Sequence, residues 1–323
     1  MAKFPSQRKM LYQSGAIGTN YTLLTSGGVS GDLNLPKDLS LMNRRGYAST
    51  TRKGVPLVYQ CKVDFYLHDE DGNGPSTAMG SDLQGTLKID GCQNNWVMRN
   101  AAVKFHAAYH ESLRKAGVKK SHLGAYAHEI RYNYDSNGDT WIVPVDGDGD
   151  AFTGGTWDDT DLFTESDSSG FKLKLVGQGI DETSANTATA INIGHSYLAS
   201  RAHVAADSNL ESSEAPAKFS VLNELLRPVA TSGVDDNIIA DAQGHGDNPP
   251  YEIDIDNADS DITEPVELGR AIAGFGNAYG STIVEIPFGL AKMRATVFDA
   301  ADTSVTPSGL VCVEVLDIYE MQG

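Results

Sequence analysis

Cysteine is scarce in this chain, with three residues (Cys61, Cys92 and Cys312) among 323. The count is odd and no C-x-x-C spacing occurs, so neither a disulfide framework nor a zinc knuckle is indicated. Cys61 stands in phase with apolar neighbours and reads as packed rather than reactive. Long apolar runs are missing too: no stretch nears the ~20 residues of a membrane span. At the start, Lys3 and Pro5 lead into Gly, Asn and Thr rather than an apolar run, which does not read as a secretory leader. Absent as well are a Walker loop, a Rossmann glycine fingerprint, G-x-S-x-G and H-E-x-x-H. Those gaps remove the commonest nucleotide, serine-hydrolase and zinc-protease readings, and the expectation is a protein that is not an enzyme.

What the chain does have is a strong two-residue rhythm. From Val55 to Leu67 every odd position is apolar (Val55, Leu57, Tyr59, Cys61, Val63, Phe65, Leu67), with Gln60, Lys62 and Asp64 between them. That pattern is a β-strand with one face in a core, and at ~3.3 Å per residue it spans roughly 40 Å. Further strand signals lie at Leu83–Asp90, read as the return strand, at Phe171–Leu175, within 189–200 and at Leu310–Met321. The last is apolar on both phases, as a central strand is. Tyr126 to Tyr134 alternates and passes through Asn137-Gly138 into Trp141–Val145, a hairpin signal. Ile286, Phe288 and Leu290 share one phase and Ala291, Met293 and Ala295 the other, a flip that predicts a β-bulge. The 33 glycines and 13 tyrosines fit a turn-rich, all-β, antiparallel protein.

Two helices are expected as insertions between strands. Near 95–116, Met98, Ala102, Phe105, Tyr109, Leu113 and Ala116 form one stripe, with Asn94 or Asn95 as cap and Gly117 as stop. Near 215–227, Phe219, Leu222 and Leu226 form another, between Pro216 and Pro228.

Charge is uneven. The chain carries −18 overall, yet residues 1–53 hold eight basic and two acidic side chains. Residues 1–54 show little periodicity and read as an extended arm that docks on something, followed by one domain over 55–323. Lys3, Arg8, Lys9, Arg44, Arg45, Arg52 and Lys53 are the candidate nucleic-acid or interface residues. Without interleaved aromatics they would touch phosphate and not read bases. The competing reading pairs them with carboxylates of the acidic body, within or between subunits.

Acidic loops are the candidate metal positions. Asp69-x-Asp71-x-Asn73-Gly74 matches the opening of a calcium loop but has Gly80 where the bidentate glutamate belongs. Asp146-x-Asp148-x-Asp150 lacks both the glycine and the glutamate. A structural Ca²⁺ is the cofactor these spacings allow, and solvated turn chemistry is the simpler reading at each. His106 and His110 stand four apart on the first helix, a spacing that can hold one metal, although no third ligand is suggested nearby. An exposed or interface helix face is the plainer interpretation.

The run Asp38-Leu-Ser-Leu-Met-Asn-Arg-Arg-Gly-Tyr47 ahead of a long strand resembles capsid proteins of small circular single-stranded DNA viruses found in environmental samples. So does the later order: a helix led by Asn95-Trp96, Gly138–Val145, Phe171–Gly177, and a final apolar strand after Pro307-Ser308-Gly309. The resemblance implies a jelly-roll sandwich, or a double jelly roll, with helical insertions. It further implies a virion subunit that assembles with copies of itself into an icosahedral shell, with genomic nucleic acid met through its backbone. One departure is that the first ten residues carry only Lys3, Arg8 and Lys9, where many such proteins have an arginine-rich arm. The rival from another class is a secreted carbohydrate-binding β-sandwich, which needs grouped exposed aromatics.

Overall fold

The computed structural model describes residues 8–13, 29–68, 83–119, 129–135, 141–148, 150–152, 157–162, 170–177, 179–184, 187–202, 264–274, 279–299 and 308–322. It is mostly β-sheet. One antiparallel sheet is ordered β1 (Lys9–Gln13), β12 (Ser308–Glu320), β3 (Leu57–His68), β10 (Tyr279–Pro287). A second is ordered β2 (Val29–Asn34), β11 (Leu290–Asp299), β4 (Leu83–Gly91), β9 (Val266–Gly274). All eight strands send side chains into one core, including Tyr12, Leu33, Tyr59, Phe65, Ile89, Ala271, Ile286, Met293 and Val313. The arrangement is compatible with an all-β sandwich.

The rhythm of β3 explains its place. Tyr59, Cys61, Val63 and Phe65 are buried in the shared core, and burial of each is worth about 1.5–3 kcal/mol. The final strand β12 lies between β1 and β3, a central position as expected, and carries a register shift between Val315 and Asp317. β4, expected as the return of β3, lies instead in the opposite sheet beside β11 and β9. A long connection lets the chain change layers, whereas a tight hairpin would not.

The phase flip near residue 288 is not a bulge. Phe288 and Gly289 have φ of 59° and 69°, a turn that carries the chain from β10 in one sheet to β11 in the other. Crossing layers reverses which phase faces inward. Within residues 1–54, where an extended arm is expected, the described residues include regular elements. Residues 9–13 and 29–34 are strands of the two sheets, and Leu35–Asn43 is a helix, α1. The Asn34 side chain accepts from the Lys37 N–H at 3.0 Å and Pro36 fits the first turn of α1.

Between β4 and β9 the chain inserts a second, smaller body. Its long helix, α2, runs Trp96–Lys115, and the Asn95 side chain accepts from the Met98 N–H at 2.9 Å. Gly117, with φ 73°, follows its last turn. The strands β5 (Asp161–Leu162), β6 (Phe171–Lys174), β7 (Ile180–Ser184) and β8 (Thr187–Asn192) form a sheet ordered β5-β6-β8-β7, in which β6 and β8 run parallel. The segment 189–200, expected as one strand, is the end of β8 followed by a helix, α3 (Ile193–Ala202). Residues 129–135 and 141–145 do not pair as a hairpin. Asn133 bridges to Lys174, while Trp141 bridges to Asp32 and Val145 to Leu11. A second core joins Met98, Phe105, Tyr132, Leu173 and Tyr197 to Val58, Phe288, Leu290 and Met321 of the two-sheet body. The helix expected near 215–227 lies outside the described residues, as does Asp69–Gly74.

Candidate functional site

The basic residues fall into two groups. Arg8 and Lys9 lie exposed at the start of β1, where an Arg8 N–H donates to the Leu316 carbonyl at 3.3 Å. Arg44, Arg45, Arg52 and Lys53 are exposed in the single connection between α1 and β3. Arg44 ends α1 in the left-handed region, with φ 52°. Arg45 donates to the Tyr47 hydroxyl at 2.7 and 3.0 Å and lies over that ring at 4.9 Å. The connection is pinned at its far end, where Thr51 N–H donates to the Val55 carbonyl at 2.7 Å and Gly54 N–H to the Thr51 carbonyl at 2.9 Å. The arrangement presents cations on an ordered loop. Lys3 lies outside the described residues.

The loop of Asp146, Asp148 and Asp150 is closed by its own chemistry. Asp146 Oδ1 accepts from the Asp148 and Asp150 N–H groups at 3.0 and 2.9 Å, and the Asp146 N–H donates to the Asp150 carbonyl at 2.9 Å. One carboxylate oxygen is thus occupied by turn hydrogen bonds. Among the described residues no group of three or more His, Cys, Asp or Glu is placed to hold a metal ion. Asp69, Asp71 and Asn73 lie outside them.

Three carboxylates that the sequence reading did not single out, Asp38, Asp32 and Asp64, have displaced acidities, and a fourth, Asp90, is buried beside two cations. Asp38, on α1, is buried and accepts from the Tyr12 hydroxyl at 2.6 Å, so it ties α1 to β1. Burial pushes its carboxyl up to about 7, although the Tyr12 hydrogen bond and Lys37 pull the other way. The Tyr12 phenol is pushed well above its ordinary range by burial and by Asp38. Asp32, on β2, is buried too. Burial raises it to about 6, with Lys292 opposing and Asp135 adding. Asp64, on β3, behaves oppositely. It accepts from Ser281 at 2.7 Å, Tyr279 at 2.8 Å and Lys62 at 3.1 Å, and these bonds outweigh burial and hold it below its ordinary value. Asp90, on β4, lies 2.5 Å from Arg294 and 3.3 Å from Lys88 on the outer face of the second sheet. A sequence signal for Asp64 and Asp90 exists in hindsight: each stands two residues after a lysine on the same strand face.

The three cysteines are buried and free, and burial pushes the Cys61 and Cys92 thiols up to about 12. The three tryptophans are half-buried and engaged within the chain. Lys37 lies over Trp141 at 5.8 Å, Arg131 over Trp157 at 4.5 Å, and Trp96 meets Tyr197 edge-on. Exposed large apolar side chains include Ile272 on β9 and Ile283 on β10, at 53% and 62% exposure. No described helix is long and apolar enough to cross a membrane. No family model, curated protein or solved structure matches the chain.

Proposed function

We propose that the chain is the subunit of a virus shell, built on a jelly roll with helical insertions and acting by self-assembly. The strand order carries this reading. Counting only the eight strands of the two larger sheets in chain order, the sheets run 1-8-3-6 and 2-7-4-5. That order is compatible with jelly-roll winding and supports the reading; the architecture is used by capsid subunits, lectins and cupins. A double jelly roll is less well supported, because the remaining described strands form one small mixed sheet.

Fold alone does not choose among those functions, so the surface must. A sugar-binding sandwich stacks its ligand on free aromatic faces. Here Trp141 and Trp157 already lie under cations of the same chain. Against that, Arg44, Arg45, Arg52 and Lys53 stand exposed on one ordered connection of an otherwise acidic protein. That split supports contact with carboxylates of a neighbouring copy or with genomic phosphate. Ile272 on β9 and Ile283 on β10 are exposed apolar positions at which lateral contact between copies can be tested.

The chain expressed alone and imaged by negative-stain microscopy forms uniform closed particles. The variants Ile272→Asp and Ile283→Asp stay folded and fail to close. A wild-type chain that remains monomeric at high concentration across a range of salt removes the shell reading, and specific glycan binding by that monomer establishes the rival.

A further inference from the structure

His106 and His110 stand on one face of α2, and the helix brings their Nε2 atoms to 3.1 Å. The rings meet at 65° with centroids 4.4 Å apart. Two neutral imidazoles at this distance share one proton, one ring donating and the other accepting. The same separation is the bite of a chelate. A transition ion sits about 2.0–2.1 Å from each imidazole nitrogen, so a 3.1 Å bite corresponds to an N–metal–N angle of about 95–100°. That lies between the right angle of tetragonal copper and the tetrahedral angle of zinc. An ion on both lone-pair axes would place the centroids about 4.8 Å apart, so a small rotation of His110 completes it.

The pair is held in advance. His106 is buried against the turn at 51–54, where Gly54 has φ 83°. A Cβ on Gly54 would lie 2.5 Å from His106 Cβ and 3.2 Å from its Nδ1. The turn therefore fits around the imidazole only as glycine, and it covers the Nδ1 side while Nε2 faces His110. Tyr109 flanks His110 with ring centroids 5.8 Å apart. His110 is half-buried, which leaves one side of the pair open to solvent. Immobilised ligands of this kind lose little freedom when an ion arrives.

We propose that His106 and His110 form a two-imidazole site for one borderline divalent cation, Cu²⁺, Ni²⁺ or Zn²⁺, completed by water. Nitrogen ligands exclude Ca²⁺ and Mg²⁺, which take oxygen. Glu111 is engaged by Arg114 on the same helix. Arg52 and Lys53 stand in the turn beside His106, so affinity comes from coordination and not from a negative field. The proposal is independent of the shell reading.

The test uses the full-length, metal-stripped protein. Calorimetric titration with ZnCl₂ and CuSO₄ is read beside the electron paramagnetic resonance spectrum of the copper form. One equivalent of Cu²⁺ binds at sub-millimolar concentration with nitrogen hyperfine structure. His110→Ala, at a half-buried position, loses that equivalent or weakens it on the order of tenfold or more. His110→Gln, which keeps a polar side chain without an imidazole, does the same while circular dichroism stays unchanged. An isotherm and spectrum identical in wild type and both variants assigns the metal to other histidines and overturns the proposal. So does an absence of binding at sub-millimolar metal.

Discussion

Asp38→Asn tests whether burial sets the acid–base behaviour of the two-sheet body. The Asp38 carboxyl is buried, and its titration lies at about 7 instead of near 3.8. A carboxyl raised by folding binds its proton more tightly in the native state. Its stabilising effect is therefore complete below the unfolded value and is lost as pH rises towards 7. Three units of displacement correspond to about 4 kcal/mol. Asparagine has no charge to bury at any pH. The stability of Asp38→Asn relative to wild type must then rise by about 4 kcal/mol between pH 4 and pH 8. With a guanidinium slope of about 4 kcal/mol per molar, the relative midpoint moves by about 1 M across that range. Far-ultraviolet circular dichroism follows the strands, and tryptophan fluorescence follows the inserted body, where Trp96 and Trp141 pack against the second core. Some pH dependence persists in the variant, because Asp32 is displaced in the same direction to about 6. A difference between variant and wild type that is equal at pH 4.5 and pH 8 refutes the reasoning.

Asp64→Ala has the opposite signature. It strips the acceptor from Ser281 and Tyr279, costs roughly 1–3 kcal/mol at pH 7, and costs less as pH falls below the usual carboxylate range, checked by denaturation at pH 7 and pH 3.5. Gly289→Ala forces a Cβ to within 2.6 Å of Pro36 and 2.9 Å of Tyr59 at φ 69°, and lowers stability by roughly 2–4 kcal/mol, so an unchanged melting temperature contradicts the turn geometry. Asp146→Ala removes two turn hydrogen bonds at an accessible loop and costs under ~1 kcal/mol. Millimolar Ca²⁺ moves the melting temperature of that variant and of wild type equally, and a shift seen only in wild type restores a calcium role for the loop.

The sequence announced β3, α2 and β12 because each is long enough for its period to repeat. Tyr59 to Phe65 alternates without a break, Met98 to Phe105 repeats at helical spacing, and β12 holds the unbroken apolar run Leu310 to Val313. Short elements were not legible. β1 is five residues and β2 six, and each contributes too few core positions to reveal a rhythm, so both merged into an apparent arm. The partner of β4 was illegible for another reason. Alternation says which face of a strand is buried and nothing about which sheet it joins. Burial of Asp38 escaped notice because one carboxylate between Leu35 and Leu39 looks like any helix residue until β1 brings Tyr12 to it.

The placement of the insertion argues that the two sides of the paired sheets differ in purpose. β4 and β9 are antiparallel neighbours whose ends meet at Gly91 and Val266, so a short turn could join them. Residues 92–265 stand there instead, and part of that segment returns across the body. Ile142 N–H donates to the Asp32 carbonyl at 2.9 Å and Val145 N–H to the Leu11 carbonyl at 2.7 Å, so one stretch covers the outer edges of both β2 and β1. Gly31 lets it approach, since a Cβ there would lie 3.3 Å from Ile142. An uncovered strand edge invites pairing with another chain. On this side the invitation is withdrawn by the chain itself. On the other side, among the described residues, β9 and β10 end their sheets with Ile272 and Ile283 exposed. If copies of this chain meet laterally, the asymmetry gives the contact a direction, from the β9–β10 side outward, and keeps the β1–β2 side from competing for it.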